Sequence, residues 1–469
     1  MRKALALLVV LVLMPLVLAP PAARAQGQAR VVTVRDAETE ALVRAIAHPL
    51  FREAGLDPAS IRITLLQAWA INAFVTTGNR LFVHTGVIQR TDSAAEFAGV
   101  LAHETGHIVG GHVSRLPEEL RAAMIRQVAA LLLGGAAAAA GGGRGGAEAG
   151  MGIAMAGQNL ALRELLAFTR AQEQAADQAA MGLLVRTGWS PLGLANLLER
   201  LLEQENLQIS RQDPYLQTHP LSRDRLDFVR EQAARLGATD RPVPPAIAAR
   251  YAMVRAKLDG FLDPPATTLV RYNAADASAP ARYARAIALH RSGRRADAVA
   301  LIDGLIRQAP TDPYLLELKG QILFESGRIR DSFAPYAGAA RIAPQEPLIR
   351  AAYGRALTEA GDPQSLALAE REIDAALARD PEAAFIWRLL ATARGRRGNV
   401  AGADLALAEE AMLLSDFATA RMLALRAEPH LPPGPSRLRA RDIQEATRRE
   451  NLTSEQRAAE QARRREERR

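Results

Sequence analysis

The C-terminal half of the chain carries a pattern that recurs every 34 residues. Glycines and prolines mark it, with spacings of 34 residues that lengthen to 37 in the last unit. The markers are Gly293, Gly327, Gly361 and Gly398, and Pro310, Pro344 and Pro381. Each glycine stands in a short turn, and each proline follows the second of two helices. Because two independent markers keep the same period, we predict stacked helix–turn–helix units over residues 281–428.

This pattern resembles tetratricopeptide repeats, which are helix–turn–helix units of about 34 residues. The longer spacing predicts three extra residues near Asp362–Ser365, between the helices of the third unit. Stacked units form a superhelix with a concave groove, which commonly binds peptides or partner proteins. The resemblance therefore implies that protein partners dock in the repeat groove. The alternative is that the array is a spacer.

A second motif lies in the N-terminal half, where residues 103–107 read HETGH, an HExxH box. The residues around it are typical of a helix. Ser93 and Glu96 have the spacing of a capping box, which satisfies free N–H groups at a helix start. Apolar residues then follow at helical spacing until Gly110 and Gly111, which can end a helix. We therefore predict that a helix carries the box.

Helix geometry gives the spacing of the box its chemical meaning. His103 and His107 are four residues apart, so their side chains project from one face and could bind the same metal ion. Glu104, beside them, could act as the general base toward a water at that metal. A hydrolytic zinc site uses three protein ligands and keeps one position open for water. A third ligand is therefore needed.

The third ligand has to be His, Asp or Glu, because the chain has no cysteine. A histidine on the same segment would have to stand where Val113 is. His112 is one residue early and about 140° around the helix from His107, so we do not expect it to bind the metal. The other arrangement takes Glu173 from a later helix. Asp177 shares a face with Glu173 and could hold a ligand imidazole in the right tautomer.

HExxH followed by ExxxD resembles the gluzincin peptidases of the HtpX, CAAX-protease and BepA-like group. Residues 70–74 (AINAF) and 80–86 (RLFVHTG) are similar to the strand pair that precedes the active-site helix in that family. Residues 218–221 (THPL) resemble its HP element. The likeness extends over residues 35–235.

The resemblance implies a zinc metalloendopeptidase that holds Zn²⁺ through His103, His107 and Glu173, with Glu104 as general base. It also implies that His219 contacts the metal or the oxyanion of the transition state. From chemistry alone, a histidine before a proline in a loop is more often structural than catalytic. If it is functional, His219 either stabilises the oxyanion or occupies the open metal position and holds the enzyme inactive.

The first 25 residues are typical of a secretory signal peptide. Arg2 and Lys3 are charged, residues 4–18 are apolar, and Ala23–Ala25 has the small-x-small form of a cleavage site. The apolar run is too short to span a bilayer. We therefore expect a periplasmic protein, which could also associate with the outer membrane.

A net charge of +8 is compatible with a nucleic acid or an anionic membrane surface as partner. Lysine occurs only at Lys3, Lys257 and Lys319, so nearly all of the positive charge is arginine. That bias is typical of a GC-rich genome, and no nucleic-acid-binding motif accompanies it. We expect no nucleic-acid partner, and a membrane surface is the remaining alternative.

Three further segments have unusual composition. Residues 128–156 are almost entirely Ala, Gly, Leu and Met, with a glycine-rich centre at 141–146, which predicts two apolar helices joined by a turn. We expect this hairpin to cover the active-site cleft; contact with a membrane is the alternative. Residues 236–280 are rich in proline with a short helical stretch between the prolines, and they are expected to form a linker; the alternative is that part of the segment packs on the preceding domain. Residues 429–469 are expected to form a charged tail, either disordered or a solvated helix.

The expected architecture is mainly α. An α+β protease domain at residues 31–235, with a small sheet and the HExxH helix, precedes an α-helical repeat solenoid. The expected function, as the resemblance implies, is hydrolysis of misfolded or stalled envelope proteins, with partners docked on the repeats. The alternative is a chaperone or scaffold for outer-membrane protein assembly in which proteolysis is minor or latent.

Overall fold

A computed structural model describes residues 32–115, 143–203, 219–236, 242–448 and 451–467, with scattered positions between 118 and 133. The signal peptide expected at residues 1–25 lies outside these ranges, as does most of the first arm of the expected apolar hairpin. Among the helices that are described, none is both long and apolar enough to cross a membrane.

The N-terminal half contains a small four-stranded sheet. Its strands are β1 (Thr33–Val34), β2 (Arg62–Leu66), β3 (Ala73–Thr76) and β4 (Arg80–His84), in the order β1-β2-β4-β3. Strands β2 and β4 are parallel, and the other two pairs are antiparallel. β3 and β4 are the strand pair expected from the sequence, with Ala73 opposite Val83. Asn79, in the turn between them, has a φ of 55°, which asparagine tolerates better than most residues.

Several helices make up most of the rest of this half. They are α1 (Ala37–Glu53), α2 (Thr85–Arg90), α3 (Ala94–Val109), α4 (Gly143–Arg186), α5 (Leu192–Leu202), α6 (Arg223–Arg235) and α7 (Pro245–Leu262). One hydrophobic core joins them to the sheet, and Phe51, Phe97, Leu101 and Met181 are fully or almost fully buried in it. Burying each such side chain stabilises the fold by roughly 1.5–3 kcal/mol.

Helix α3 carries the HExxH box and begins as the sequence predicts. The hydroxyl of Ser93 accepts a hydrogen bond from the backbone N–H of Glu96 at 3.3 Å. The carboxylate of Glu96 in turn accepts one from the backbone N–H of Asp92 at 2.9 Å, one residue before the usual partner. The helix ends at Val109, and Gly111 then turns the chain with a φ of +62°.

Helix α4 is longer than the sequence suggests. The glycine-rich centre at 141–146 predicts a turn, but the helix already begins at Gly143 and continues for 44 residues to Arg186. The described part of the expected second arm therefore belongs to the same helix as Glu173. An alanine- and methionine-rich stretch favours a helix strongly enough to include several glycines, each of which costs about 1 kcal/mol relative to alanine. The expected role of the hairpin as a cleft cover stays a prediction.

The proline-rich segment 236–280 contains two helices, although a linker is expected there. They are α7 and α8 (Pro265–Arg271), and each has a proline at its start, where the missing N–H costs nothing. Tyr251 and Val254 of α7 are buried in the N-terminal core. The prolines that suggest a linker are therefore helix starts, and α7 is part of the folded unit.

The C-terminal half consists of helix pairs, as the 34-residue period predicts. The pairs are α9 (Ala279–Arg291) with α10 (Arg295–Gln308), α11 (Pro313–Glu325) with α12 (Phe333–Ile342), α13 (Pro347–Ala360) with α14 (Pro363–Leu377), and α15 (Ala384–Arg396) with α16 (Val400–Leu413). The marker glycines lie in the turn within each pair, with φ between +75° and +80°. Residues with a Cβ rarely adopt that conformation. Together with the sheet and the HExxH helix, these pairs confirm the expected fold class.

The three extra residues of the third unit are not in its turn. Helices α13 and α14 are separated only by Gly361 and Asp362. The insertion instead lengthens α14 to 15 residues, against 14 in α10, and widens the loop after it to residues 378–383. Extra residues at a helix end shift the next pair without disturbing the tight turn.

The tail beyond residue 429 is also more ordered than expected. Helix α18 (Pro435–Ala446) lies in this tail and packs against α17 (Phe417–Ala427), which ends just before the tail, and Ala440 and Ile443 of α18 are buried. The last helix is α19 (Ser454–Glu467), rich in Arg and Glu, which fits the solvated helix among the two expected forms.

Buried charges join the two halves. The Nζ of Lys257 on α7 lies 2.5 Å from a carboxylate oxygen of Asp36, beside α1, and 3.6 Å from one of Glu317 on α11. Arg250 of α7 also pairs with Glu38 of α1 at 2.6 Å. Lys257 is only 4% exposed and Glu38 is fully buried. Helix α7 therefore packs against both the sheet-containing half and the repeats.

Candidate metal centre

Four buried side chains converge at the meeting point of three segments. His103 and His107 come from α3, Glu173 comes from α4, and His219 comes from the loop that leads into α6. One potential ligand atom from each of the four lies within 4.8 Å of all the others. Three imidazoles and a carboxylate form a donor set that suits Zn²⁺.

The separations between the donor atoms fit a tetrahedral metal site. Nε2 of His103 lies 3.1 Å from Nε2 of His107 and 3.3 Å from Nδ1 of His219. Oε1 of Glu173 lies 3.3 Å from Nε2 of His107 and 3.2 Å from Nδ1 of His219. Tetrahedral zinc with bonds of about 2.0–2.1 Å requires ligand atoms about 3.4 Å apart. The four residues could therefore hold the ion with little movement.

Gly106, inside the HExxH box, allows the two ligand-bearing helices to approach closely. A Cβ at this position would lie 2.6 Å from the carbonyl oxygen of Ala176 on α4. That contact is too short for a side chain of any size, because the neighbouring oxygen belongs to the backbone of α4 and cannot rotate away. The glycine therefore brings Glu173, three residues before Ala176, within reach of the histidines on α3.

His103 is oriented by an anion behind it. Its Nδ1 lies 2.9 Å from Oδ1 of Asp177, which is fully buried one helical turn after Glu173. Because the carboxylate can only accept, Nδ1 of His103 carries a proton, and Nε2 is the nitrogen that faces the cluster and could bind a metal. Asp177 thus stands where the sequence places a partner for a ligand imidazole.

His219 presents its other ring nitrogen, Nδ1, to the cluster. Its Nε2 lies 3.2 Å from the carbonyl oxygen of Ala73 on β3, which can only accept a hydrogen bond. Nε2 of His219 therefore donates, and Nδ1 is left with a lone pair toward His103 and Glu173. In this orientation His219 is the fourth donor of the cluster.

Arg225 is a functional residue that the sequence reasoning missed. Its Nε and Nη2 donate to the two carboxylate oxygens of Asp177 at 2.6 and 3.0 Å, and its Nη1 lies 2.8 Å from Oε2 of Glu173. The same guanidinium contacts the carbonyl oxygens of His219 and Pro220. It therefore ties a ligand, a ligand's partner and the His219 loop together. The sequence offers one indication of this role. Arg225 is four residues before Val229 on α6, so the two share the buried face of that helix.

Glu104 is buried next to the donors but is not one of them. Neither of its carboxylate oxygens has a hydrogen-bond donor among the described residues, and the nearest imidazole atom is Nε2 of His219, 3.3 Å from Oε1. Burial raises the pKa of Glu104. A desolvated carboxylate with free oxygens is a strong proton acceptor, as a general base has to be.

Two of the donors, Glu173 and His107, already have the protonation states that a metal requires, and His103 does not. Burial opposes ionisation of Glu173, but hydrogen bonds from three histidines outweigh it and lower the pKa of Glu173 well below its usual range. Burial lowers the pKa of His107 to about 4, so this ligand is neutral at pH 7. Burial acts the same way on His103, but its bonds with Asp177 and Glu173 raise its pKa to about 9. Without a metal, His103 therefore carries a second proton on Nε2, and metal binding would release it.

The structure brings together all six residues that the sequence nominates for the site. The remaining histidine of the segment, His112, is not a donor, as expected, but its ring contacts the outer side of His107. The separate roles of ligand, base and partner stay predictions, to be tested by substitution.

Comparison with known proteins identifies the domain that carries this centre. Residues 36–233 match the model of Peptidase family M48. The match includes strands β2 to β4, helices α3 and α4 and the His219 loop. It confirms the resemblance to HExxH peptidases.

Curated relatives include the beta-barrel assembly-enhancing proteases of Yersinia pestis and Escherichia coli (strain K12). Each is 27% identical, over 259 and 266 residues respectively, which is 54% of this chain and 51% of the relative. Metalloprotease LoiP of Escherichia coli (strain K12) is 28% identical over 207 residues, 43% of this chain and 73% of the relative. The chain thus spans about half the length of the first two relatives.

Solved structures resemble the chain only loosely. A tetratricopeptide-repeat protein with an unusual peptide-binding site, YrrB, has a TM-score of 0.31 and 19% identity, covering 39% of this chain and 92% of that structure. MamA MSR-1 C2 has a TM-score of 0.30 and 17% identity, covering 34% and 91%. The repeat architecture therefore rests on the helix pairs themselves.

Proposed function

Because residues 36–233 match the model of peptidase family M48, we propose that this protein is a zinc-dependent endopeptidase. The observation that carries the proposal is the convergence of His103, His107 and Glu173 within 4.8 Å, with Glu104 buried beside them. This is the arrangement that hydrolysis of a peptide bond needs: a cation site and a base next to it.

The donor set determines how the metal would be held. His103, His107 and Glu173 come from two packed helices and have fixed orientations, so we assign them as the permanent ligands. Zinc supplies Lewis-acid polarisation of the scissile carbonyl and lowers the pKa of water. Asp177 and Arg225 hold His103 and Glu173 from behind, which keeps the donor atoms converged.

Glu104 is the residue that moves protons. Its carboxylate takes a proton from the attacking water and later delivers it to the nitrogen of the leaving amine. The raised pKa of Glu104 makes it a better acceptor than an exposed carboxylate, while its burial keeps competing bulk water away. Since it makes no hydrogen bond in the described structure, no internal contact has to be broken first.

We propose that the substrates are misfolded or stalled proteins of the bacterial envelope, cleaved in the periplasm. The signal-peptide pattern of residues 1–25 and the names of the relatives, which refer to beta-barrel assembly, support this compartment and substrate class. The edge position of β3 offers an extended substrate a strand to pair with, close to His219.

The repeats provide a cleft for a second contact with such proteins. A cavity of about 540 Å³ lies where residues 33–37 meet the repeat helices. Phe324 and Phe385 line it, with Arg355 and Arg35 stacked over them at 4.9 and 5.7 Å. Aromatic rings beside guanidinium groups suit an extended peptide with apolar side chains, and its charged side chains would meet both arginines and the carboxylates of Asp36, Glu317 and Glu325 that also line the cavity. We propose that client or partner segments dock there.

The second candidate function is a chaperone or scaffold for outer-membrane protein assembly with a latent protease. One observation favours it: Nδ1 of His219 lies among the donor atoms, where it would occupy the fourth metal position. In that state the centre is closed to water, and only the docking cleft is active.

One comparison tests the proposed activity. Purified protein should contain one zinc per chain and cleave casein, and Glu104→Gln should contain the same zinc and leave casein intact. Absence of zinc from the wild type, or casein cleavage by Glu104→Gln at the wild-type rate, would refute the proposal. A metal-loaded wild type without activity would favour the latent alternative.

The docking cleft is best tested in the full-length chain. Truncation near residue 275 would remove α9 and α11 and expose the buried charges of α7. Arg355→Glu instead reverses one charge in the cleft, and Arg371→Glu reverses an exposed charge on α14 outside it. We expect only Arg355→Glu to lose co-purifying envelope proteins, with casein cleavage unchanged in both variants. Equal partner lists would favour the spacer interpretation of the repeats.

A further inference from the structure

His112 is buried against a metal-ligating histidine, although its spacing excludes it as a ligand. The chain turns after α3 at Gly110 and Gly111, and this turn folds the ring of His112 back toward the helix. Its Nδ1 lies 2.9 Å from Nδ1 of His107, and the two rings are nearly perpendicular, at 81°. His112 is only 7% exposed.

The direction of this hydrogen bond follows from the opposite side of His107. Nε2 of His107 faces the cluster, 3.1 Å from Nε2 of His103 and 3.3 Å from Glu173. A ligand nitrogen needs its lone pair, so the proton of neutral His107 has to be on Nδ1. His107 therefore donates, and Nδ1 of His112 accepts.

The surrounding chain is built to hold His112 in this place. A Cβ at Gly110 would lie 2.3 Å from Nε2 of His112, so any larger residue would displace the ring. The side chain of Gln172 donates to the carbonyl oxygen of His112 at 3.4 Å, and Gln172 directly precedes the ligand Glu173. The ring is thus fixed between the end of α3 and the ligand-bearing part of α4.

We infer that His112 is a positioning residue that accepts a hydrogen bond from His107 and so fixes the tautomer and ring orientation of that zinc ligand. It matches the role of Asp177 behind His103, but with a neutral acceptor in place of an anion. This inference rests on the proposed zinc site and adds a residue that holds it in shape. Substitution of a residue that hydrogen-bonds to a metal ligand typically lowers the affinity for the metal about 10- to 100-fold.

A pair of substitutions separates the acceptor from the shape of the side chain. Asparagine at residue 112 places its oxygen near the position of Nδ1, whereas leucine has the same branching without an acceptor. We expect His112→Leu to weaken zinc binding about 10- to 100-fold and His112→Asn to stay within about 3-fold of the wild type. The measurement is competition for zinc with a chromophoric chelator, using the full-length chain.

Two further proteins keep the test decisive. Gly110→Ala should lower zinc affinity as His112→Leu does, because the new Cβ displaces the same ring. His48→Leu, a substitution in α1, should not change it. Wild-type affinity in His112→Leu, or equal losses in the leucine and asparagine variants, would overturn the inference, provided that circular dichroism shows both to be folded. Failure of the wild type to bind zinc would refute the proposed function itself.

Discussion

The guanidinium of Arg225 donates to both carboxylate oxygens of Asp177, at 2.6 and 3.0 Å, and both side chains are buried. Removing the arginine would leave a buried anion without its countercharge. We therefore expect Arg225→Leu to lower the free energy of unfolding by about 3–5 kcal/mol. Urea denaturation of the zinc-loaded protein measures this loss.

Arg230 is the matched control, five residues later on α6. Its ion pair with Glu199 at 2.6 Å is about half exposed, so Arg230→Leu should change stability by no more than about 0.5 kcal/mol. If the two variants unfold at the same urea concentration, the buried pair does not stabilise the site as proposed.

The zinc ligands are identified by metal content. His103→Ala, His107→Ala and Glu173→Ala should each lose stoichiometric zinc, because the donors that remain hold the ion too weakly. His112→Ala should keep one zinc per chain at saturating metal, since it changes affinity rather than ligand number. Atomic absorption on dialysed protein makes the comparison. Full zinc occupancy in Glu173→Ala would show that the third ligand is wrongly assigned.

Glu104→Gln separates the base from the ligands. The amide has the same shape but cannot accept the water proton, so hydrolysis should fall by about 10²–10⁴-fold or more. The fold and the zinc content should not change, because Glu104 makes no hydrogen bond in the described structure. Loss of zinc from this variant would mean that Glu104 binds the metal.

The ligands could be read from the sequence because helix geometry turns fixed spacings into fixed directions. A spacing of four positions places His103 and His107 on one helix face, and the same holds for Glu173 and Asp177. The turn glycines of the repeats were equally readable, since φ values near +80° exclude most other residues. In each case one local rule was sufficient.

The roles of Arg225, His112 and helix α7 depend on which segments pack together, and local sequence rules do not predict that packing. Arg225 and His112 act on the site through contacts with residues that lie on other helices or beyond a turn. The prolines of residues 236–280 favour a linker when only the sequence is considered, but Pro245 starts a helix because a core is available to bury that helix. The core that buries α7 is formed by distant residues and cannot be seen in residues 236–280 alone.

The buried charges between the halves predict a specific pH dependence. Burial raises the pKa of Glu317 to about 7, reinforced by Asp36 and Glu38, and Lys257 only partly offsets it. An unfolded glutamate titrates near pH ~4.3. Between these values the folded chain holds a proton that the unfolded chain has released, so the contribution of Glu317 to stability falls as pH rises.

Glu317→Gln should remove this dependence. The difference in unfolding free energy between the variant and the wild type should shift in favour of the variant from pH 5 to pH 8. Urea denaturation of both proteins at each pH measures it. Glu325, on the same helix, is the control, because its hydrogen bond with His290 lowers its pKa. The contribution of Glu325 to stability is therefore already nearly complete above about pH 4.3, and Glu325→Gln should change stability by nearly the same amount at pH 5 and at pH 8. Parallel pH profiles for Glu317→Gln and the wild type would contradict the prediction.

His219 is the residue whose substitution distinguishes a closed centre from an assisting one. Its Nε2 donates to Ala73, and its Nδ1 lies 3.3 Å from Nε2 of His103 and 3.2 Å from Glu173, in the fourth donor position. A ligand there would exclude water, so we expect His219→Ala to raise basal casein turnover. If His219 instead stabilises the oxyanion, turnover should fall by roughly 10²–10³-fold. The double variant with Glu104→Gln should be inactive, which assigns any gain to this site, and unchanged turnover in His219→Ala would refute both roles.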